Sequence, residues 1–238
     1  HTVPNGYLTQ ITNILNINNK SINELRRILG TYVFTADNFI KMILILLRVR
    51  AKIPVILMGE TGCGKTYLLS MLAKLQGIKM EPLAIHAGTS EADIIKFIRD
   101  HHASIETDED KKQEAQIVAD IKKNELNDKI YDKMNWIFLD EINTCNHLGL
   151  IAELLCQRTM LGIPIKSNVI FLAACNPYRI STKKKDSTGL DKYAKLKSKA
   201  SNLEYTVNPL PLSLLNYVFD FGSLQKEDED KYICSMVD

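Results

Sequence analysis

The sequence predicts an α/β protein in which a parallel sheet is covered on both faces by helices. Three observations predict it. Short β-rich apolar runs recur at 54–58, 83–86, 136–139 and 169–174, each followed by polar or helical sequence, and strands that alternate with helices assemble into parallel sheets. The runs are nearly unbroken in apolar residues rather than alternating, which suits strands buried on both faces. The first run leads through a glycine cluster directly into a helical stretch, Lys65 to Leu75, so strand, loop and helix follow in immediate succession.

Composition agrees with a folded domain. The 238 residues are 45% hydrophobic and 24% charged, which excludes disordered, collagen-like and disulfide-scaffold classes. The formal charge is only +2, so no overall field calls for nucleic acid or an anionic membrane. Apolar runs such as Met42 to Leu47 fall far short of the roughly 18 residues of a membrane span. Five cysteines (Cys63, Cys145, Cys156, Cys175, Cys234) form no C-x-x-C pair, and a reducing, cytoplasmic setting is the expectation. The chain opens on His1 without a leader pattern, and is expected to be a fragment of something longer.

Along the chain, residues 1–52 read as a linker and helix. Residues 1–30 are polar and Asn-rich, with a short helix at Ile22 to Leu29 closed by Gly30. Thr35, with Asp37, offers a cap for the apolar helix Asn38 to Arg50, whose end carries Arg48, Arg50 and Lys52 before Pro54 stops it. Residues 53–222 form the large α/β unit. Within it, about 100–134 is read as a solvated helical insertion, because Glu106 to Asp132 holds nine acids against five lysines. Arg179 to Lys199 carries eight basic residues and only one aromatic, Tyr193, and reads as a mobile surface loop rather than a nucleic-acid site. A final short strand is expected near Tyr205 to Val207, then Pro209, Pro211 and a helical Leu212 to Phe219. Residues 223–238 read as the start of a helical lid, cut short. No internal repeat is visible.

The chemistry gathers at three places. Gly59-Glu60-Thr61-Gly62-Cys63-Gly64-Lys65-Thr66 fits G-x-x-x-x-G-K-[ST] in its required context, after a strand and opening a helix. Glycines let the backbone curl so that amide groups and the helix end cradle phosphate oxygens. Lys65 would reach the β- and γ-phosphates of ATP, and the Thr66 hydroxyl would bind Mg²⁺. Trp136-Ile-Phe-Leu-Asp-Glu141 ends a buried strand in two carboxylates. Asp140 would complete the Mg²⁺ shell, and Glu141 would polarise the attacking water. The fourth strand ends in Asn176, and chemistry in parallel sheets collects at the carboxyl ends of strands, so Asn176 is expected beside the loop, touching γ-phosphate and water without adding charge. Arg158 and Arg179 are candidate arginine fingers. His101 and His102 lack a partner at metal spacing and read as solvated. Cys63, inside the loop, has no neighbour suggesting a nucleophile.

Glycine loop, Asp-Glu pair and strand-terminal Asn in this order resemble an AAA+ ATPase. More specifically, Ile56 to Thr66, His86 to Asp93 (HAGTSEAD), Leu139 to Asn143 (LDEIN), Ala173 to Arg179 (AACNPYR), Asn208 to Leu215 (NPLPLSLL) and Phe219 to Gly222 (FDFG) resemble the mysterin family of giant dynein-like AAA+ ubiquitin ligases, over roughly residues 53–230. The resemblance implies a sheet of order 5-1-4-3-2 and a place among several tandem modules, so neighbouring AAA+ modules are the expected partners. It also implies the same roles for Lys65, Thr66, Asp140, Glu141 and Asn176. Ubiquitin transfer in that family lies in other domains, and no zinc-type Cys/His spacing stands here. In one departure, no arginine stands just before the expected fifth strand. A module that binds ATP but seldom hydrolyses it is the alternative. A GTPase fits poorly, because Asp140 is followed by Glu-Ile-Asn and not by D-x-x-G, and Thr182-Lys-Lys-Lys185 lacks a guanine-reading Asp. A small-molecule kinase would need an acceptor pocket that no motif suggests.

Overall fold

The computed structural model describes residues 9–10, 12, 22–30, 32, 35–101, 134–166, 168–177 and 207–222. The bulk of the charged insertion, the basic stretch with Arg179, His102, residues 205–206 of the expected last strand, and the expected lid segment lie outside them.

After the helical residues 9–10 and 12 come two longer helices, α1 (Ile22–Leu29) and α2 (Ala36–Arg50). Gly30 closes α1 at φ +51, and Thr35 caps α2 by accepting a hydrogen bond from Asn38 N at 3.1 Å. α1 lies in the stretch read as linker, yet it packs: Leu25 and Leu29 are buried in the core that α2 and the sheet share. α2 is anchored by charge as well. Lys41 pairs with Asp37 at 2.6 Å and sits 4.3 Å over the Phe221 ring, while Arg48 donates to Tyr217 O at 3.0 Å.

Then follow β1 (Val55–Met58), α3 (Lys65–Gln76), β2 (Lys79–Ala84), α4 (Glu91–His101) and β3 (Asn135–Asp140). α3 ends at Gly77, φ +72, with Ile78 N bonded to Ala73 O at 2.9 Å, a Schellman closure that satisfies a late carbonyl. Ser90 and Asp93 form a reciprocal box at the start of α4 through bonds of 2.6 to 3.2 Å. At its far end His101 stacks on Phe97 at 4.2 Å, so this histidine is packed rather than simply solvated. After β3 come a 3₁₀ turn (Ile142–Thr144), α5 (Leu148–Ala152) continuing as a π-helical turn (Glu153–Gln157), a hairpin of β4 (Thr159–Met160) and β5 (Ile163–Pro164), then β6 (Val169–Cys175), α6 (Leu212–Leu215) and β7 (Val218–Asp220).

The main sheet has five strands in the order β2-β3-β6-β1-β7, all pairs parallel. With the hairpin set aside and the strands counted along the chain, this is the expected 5-1-4-3-2. The fifth strand is a correction. It is Val218–Asp220, overlapping the end of the stretch expected to be helical, and Val207 belongs to no strand. A helix is confined to the single turn Leu212–Leu215, because Val218, Phe219 and Asp220 pair with Ile56, Leu57 and Met58 along the otherwise open edge of β1.

Side chains alternate across the sheet into two cores. Val55, Leu57, Trp136, Phe138, Ile170, Leu172 and Ala174 join α1, α2 and α3 on one face. Ile56, Ile137, Leu139, Phe171, Ala173 and Cys175 join Ile94 and Ile98 of α4 and Ile151 and Leu154 of the α5 segment on the other. The result is a three-layer α/β/α arrangement with both sheet faces covered. Among the described residues no helix is long and apolar enough to cross a membrane.

Candidate functional site

The carboxyl ends of β1, β3 and β6 meet at one edge of the sheet. Met58 is paired with Cys175, and the chain leaves β1 there through Gly59 to Gly64 into α3. Gly59 N donates to Cys175 O at 3.2 Å. A Cβ at Gly59 would stand 2.9 Å from Cys63 Sγ and 3.1 Å from Phe221 Cβ, so only glycine lets the loop fold this close to its own turn and to the exit of β7. Gly64, the residue before α3, has φ +91. Such a curl delivers the first amides of α3, which have no intrahelical acceptor, to the head of the loop. No acid occupies the first turn of α3, so the helix end favours an anion.

Lys65 is the buried cation of the loop, 6% exposed. Its Nζ donates to Gly59 O at 2.7 Å and Glu60 O at 2.9 Å, and lies 3.8 Å from Cys63 Sγ. Burial pushes the Cys175 thiol beneath it up to about 12, against the opposing pull of the Lys65 charge, so that thiol stays neutral. Thr66 Oγ1 donates to Asp140 Oδ2 at 2.8 Å. A hydroxyl and a carboxylate side by side are hard oxygen donors, which fit Mg²⁺. No cluster of three or more His, Cys, Asp or Glu exists among the described residues.

The neighbouring carboxylates diverge for a backbone reason. Glu141 adopts φ +56, the left-handed region, which costs a non-glycine residue about 1–2 kcal/mol and turns the chain out of β3. Asp140 therefore faces Thr66, while Glu141 Oε1 accepts from Asn176 Nδ2 at 3.2 Å. Asn176, 5% exposed, in turn accepts from Thr61 Oγ1 at 3.4 Å. One hydrogen-bonded chain thus runs from the glycine loop through Asn176 to Glu141, and a second contact joins Thr66 to Asp140. The loop, the Asp-Glu pair and the strand-terminal Asn, separate in sequence, are brought together.

Arg158, a candidate finger, stands away from this cluster. It follows the π-helical turn, with φ +56, and its Nη2 donates to Lys166 O at 3.1 Å and Val169 O at 2.9 Å. Val169 begins β6, so Arg158 lies at the amino end of the sheet, about 20 Å from the loop at ~3.3 Å per strand residue. The chain doubles back between β3 and β6, so closeness in sequence did not mean closeness in space. Arg179 lies outside the described residues.

Two residues quoted in motifs but given no role also belong here. Asn143 bonds both backbone groups of Asn176, and Asn208 N donates to Asn143 O at 2.7 Å. No spacing rule singles them out; their signal was only their presence in the LDEIN and NPLPLSLL stretches.

Comparison with known proteins supplies the family. Residues 32–179 match the family model of the RNF213 AAA domain. The chain is 36% identical over 226 residues to the E3 ubiquitin-protein ligase rnf213-beta of Danio rerio and 34% identical over 222 residues to the E3 ubiquitin-protein ligase RNF213 of Homo sapiens, covering 87% of this chain in each case. It spans about 4% of the length of those curated relatives. A crystal structure from Cytophaga hutchinsonii aligns with a TM-score of 0.49 at 13% identity, over 97% of this chain and 59% of that one, a likeness too distant to add to the assignment. The family match spans the glycine loop, both carboxylates and Asn176, and with the 5-1-4-3-2 parallel sheet it bears out the mysterin-type resemblance: this chain is an AAA+ module and belongs to the RNF213 AAA domain family.

Proposed function

We propose that the chain is an ATP-binding and ATP-hydrolysing module whose nucleotide state drives conformational change within a large multi-module protein. The observation that carries this reading is the convergence of Lys65, Thr66, Asp140, Glu141 and Asn176 at one sheet edge, with Thr66 bonded to Asp140 and Asn176 bonded to Glu141.

In this reading the amides of residues 62–66 hold the β- and γ-phosphates, and Lys65 exchanges the carbonyls of Gly59 and Glu60 for phosphate oxygens. Thr66 and Asp140 hold Mg²⁺, which when bound neutralises charge on the β- and γ-oxygens. Glu141 accepts a proton from the water that attacks the γ-phosphorus, as the bond to the β-bridging oxygen breaks and ADP departs. Asn176 orients that water and donates to a γ-phosphate oxygen. Its present bond to Glu141 keeps the two groups within reach of a shared water. Residues 207–217 contain no arginine, so the positive charge that phosphoryl transfer draws on is proposed to come from a neighbouring AAA+ module. Ubiquitin transfer, which the relatives' names describe, is proposed to reside outside this chain, and the setting is proposed to be cytoplasmic.

Calorimetric titration tests the binding half. MgATP should fill one site per chain, more tightly than ATP with a chelator, and Asp140→Asn should remove the difference. Absence of binding would contradict the proposal, whereas binding without turnover would favour the module that rarely hydrolyses.

A further inference from the structure

Asn143 sits in the 3₁₀ turn after Glu141 and is 2% exposed. Its Oδ1 accepts from Asn176 N at 3.1 Å, and its Nδ2 donates to Asn176 O at 2.9 Å. One side chain thus occupies both main-chain hydrogen-bonding groups of Asn176, as an adjacent strand would. The need for this arises from the site itself. The β3–β6 pairing ends at Leu139 and Ala173, because the left-handed turn at Glu141 carries β3 away from its neighbour. The last residues of β6 would otherwise lack a partner on that side, at the point where Asn176 must be held.

Asn143 is itself fixed from behind. Asn208 N donates to its carbonyl at 2.7 Å, and Asn208 Nδ2 donates to Cys145 O at 2.8 Å and Asn146 Oδ1 at 3.1 Å. Only an amide side chain of this length offers a donor and an acceptor to one residue's backbone at once. With the Asn176 backbone clamped, its side chain has little freedom beyond rotation about its own bonds, and those are set by Glu141 and Thr61.

We propose that Asn143 is a positioning residue for the γ-phosphate end of the site, holding Asn176 in the orientation that serves Glu141. The inference rests on the nucleotide-site reading above. A purely structural asparagine would satisfy the same buried backbone groups, and the two roles differ in what its removal does to nucleotide discrimination. Displacement of a catalytic group by about 1 Å can cost on the order of 10² in rate. Asn143→Ala should therefore lower kcat by about 10- to 100-fold.

The experiment uses the full-length protein carrying this module, with Asn143→Ala and Asn143→Ser, each alone and combined with Asn176→Ala. It reads kcat, KM for MgATP, and the affinity for a non-hydrolysable ATP analogue relative to ADP. The proposal expects both Asn143 variants to lose kcat and to lose the preference for the triphosphate. It also expects Asn143→Ala to add less than about twofold to the loss already caused by Asn176→Ala, since coupled residues are non-additive. Full additivity, or an unchanged triphosphate preference, would overturn it, as would failure of both variants to fold, which would assign Asn143 to stability alone. If the unsubstituted protein shows no turnover yet Asn143→Ala abolishes the triphosphate preference, the hydrolysis reading fails and the positioning role stands.

Discussion

Replacing Lys65 by alanine separates what the side chain does for the loop from what it does for a ligand. In the structure its ammonium donates to Gly59 O and Glu60 O. Gly59 is buried and Glu60 is half-buried, so water can replace the lost donor at Glu60 more readily than at Gly59. An unsatisfied buried carbonyl costs about 1–3 kcal/mol. For a domain of this size each kcal/mol shifts Tm by about 2–4 °C, and a fall of roughly 2–12 °C is expected, with the fold intact. The effect on binding is larger. A phosphate group seated against the loop loses its nearest cation, and breaking a buried charge pair costs about 3–5 kcal/mol, or roughly two to four decades in affinity. The assay is MgATP titration by calorimetry alongside thermal melts with and without nucleotide. The unsubstituted chain should melt higher with nucleotide, and Lys65→Ala should show no such rise at the same concentration. An unchanged affinity in a folded Lys65→Ala protein would remove Lys65 from the site and refute the reasoning.

Other expectations follow from particular contacts. Cys63 is partly exposed in the loop and Cys175 is buried beneath it with its thiol raised to about 12, so alkylation followed by mass spectrometry should label Cys63 and spare Cys175 below pH 9, and MgATP should slow the labelling of Cys63. The hydrogen bonds from the Ser90 hydroxyl and amide hold the Asp93 carboxyl below its ordinary value. The contribution of this box to α4 is thus complete above the unfolded carboxylate range near ~4 and is lost as pH falls through the lower folded value. Amide exchange at the start of α4 should accelerate in that acidic window, and Ser90→Ala should remove the pH dependence. The isolated 238-residue chain should hydrolyse ATP far more slowly per site than the full-length protein, since an arginine supplied by a neighbour is typically worth about 10³–10⁵ in rate; equal rates would show the chain to be catalytically complete.

How much of this was legible in the sequence depended on whether the cause was local. Central strands buried on both faces announce themselves as apolar runs, and β1, β3 and β6 were found that way. The edge strand β2 begins at Lys79, four residues before the run that signalled it. It carries a Lys79–Glu81 pair at 2.6 Å and Pro82, which an edge tolerates and a central strand does not. The three-residue β7 has no signature of its own, because Leu212 to Phe219 suits a helix equally well until the open edge of β1 recruits Val218. In the site, the glycine loop and the Asp-Glu pair carry their chemistry in consecutive residues. Asn143 could not be found so, since its importance lies in reaching a backbone 33 residues away in sequence. Arg158 shows the converse, being near the site along the chain and at the far end of the sheet in space.

Phosphate release by the full-length protein, unsubstituted and with Glu141→Gln, addresses hydrolysis by this module most directly. The amide keeps the size of Glu141 and an oxygen to accept from Asn176, so MgATP affinity should be retained. It cannot take the proton of the attacking water, and turnover at this site should fall by about 10²- to 10⁴-fold. Retained affinity with turnover lost is the expected result; a Glu141→Gln module that turns over as fast as the unsubstituted one would contradict it.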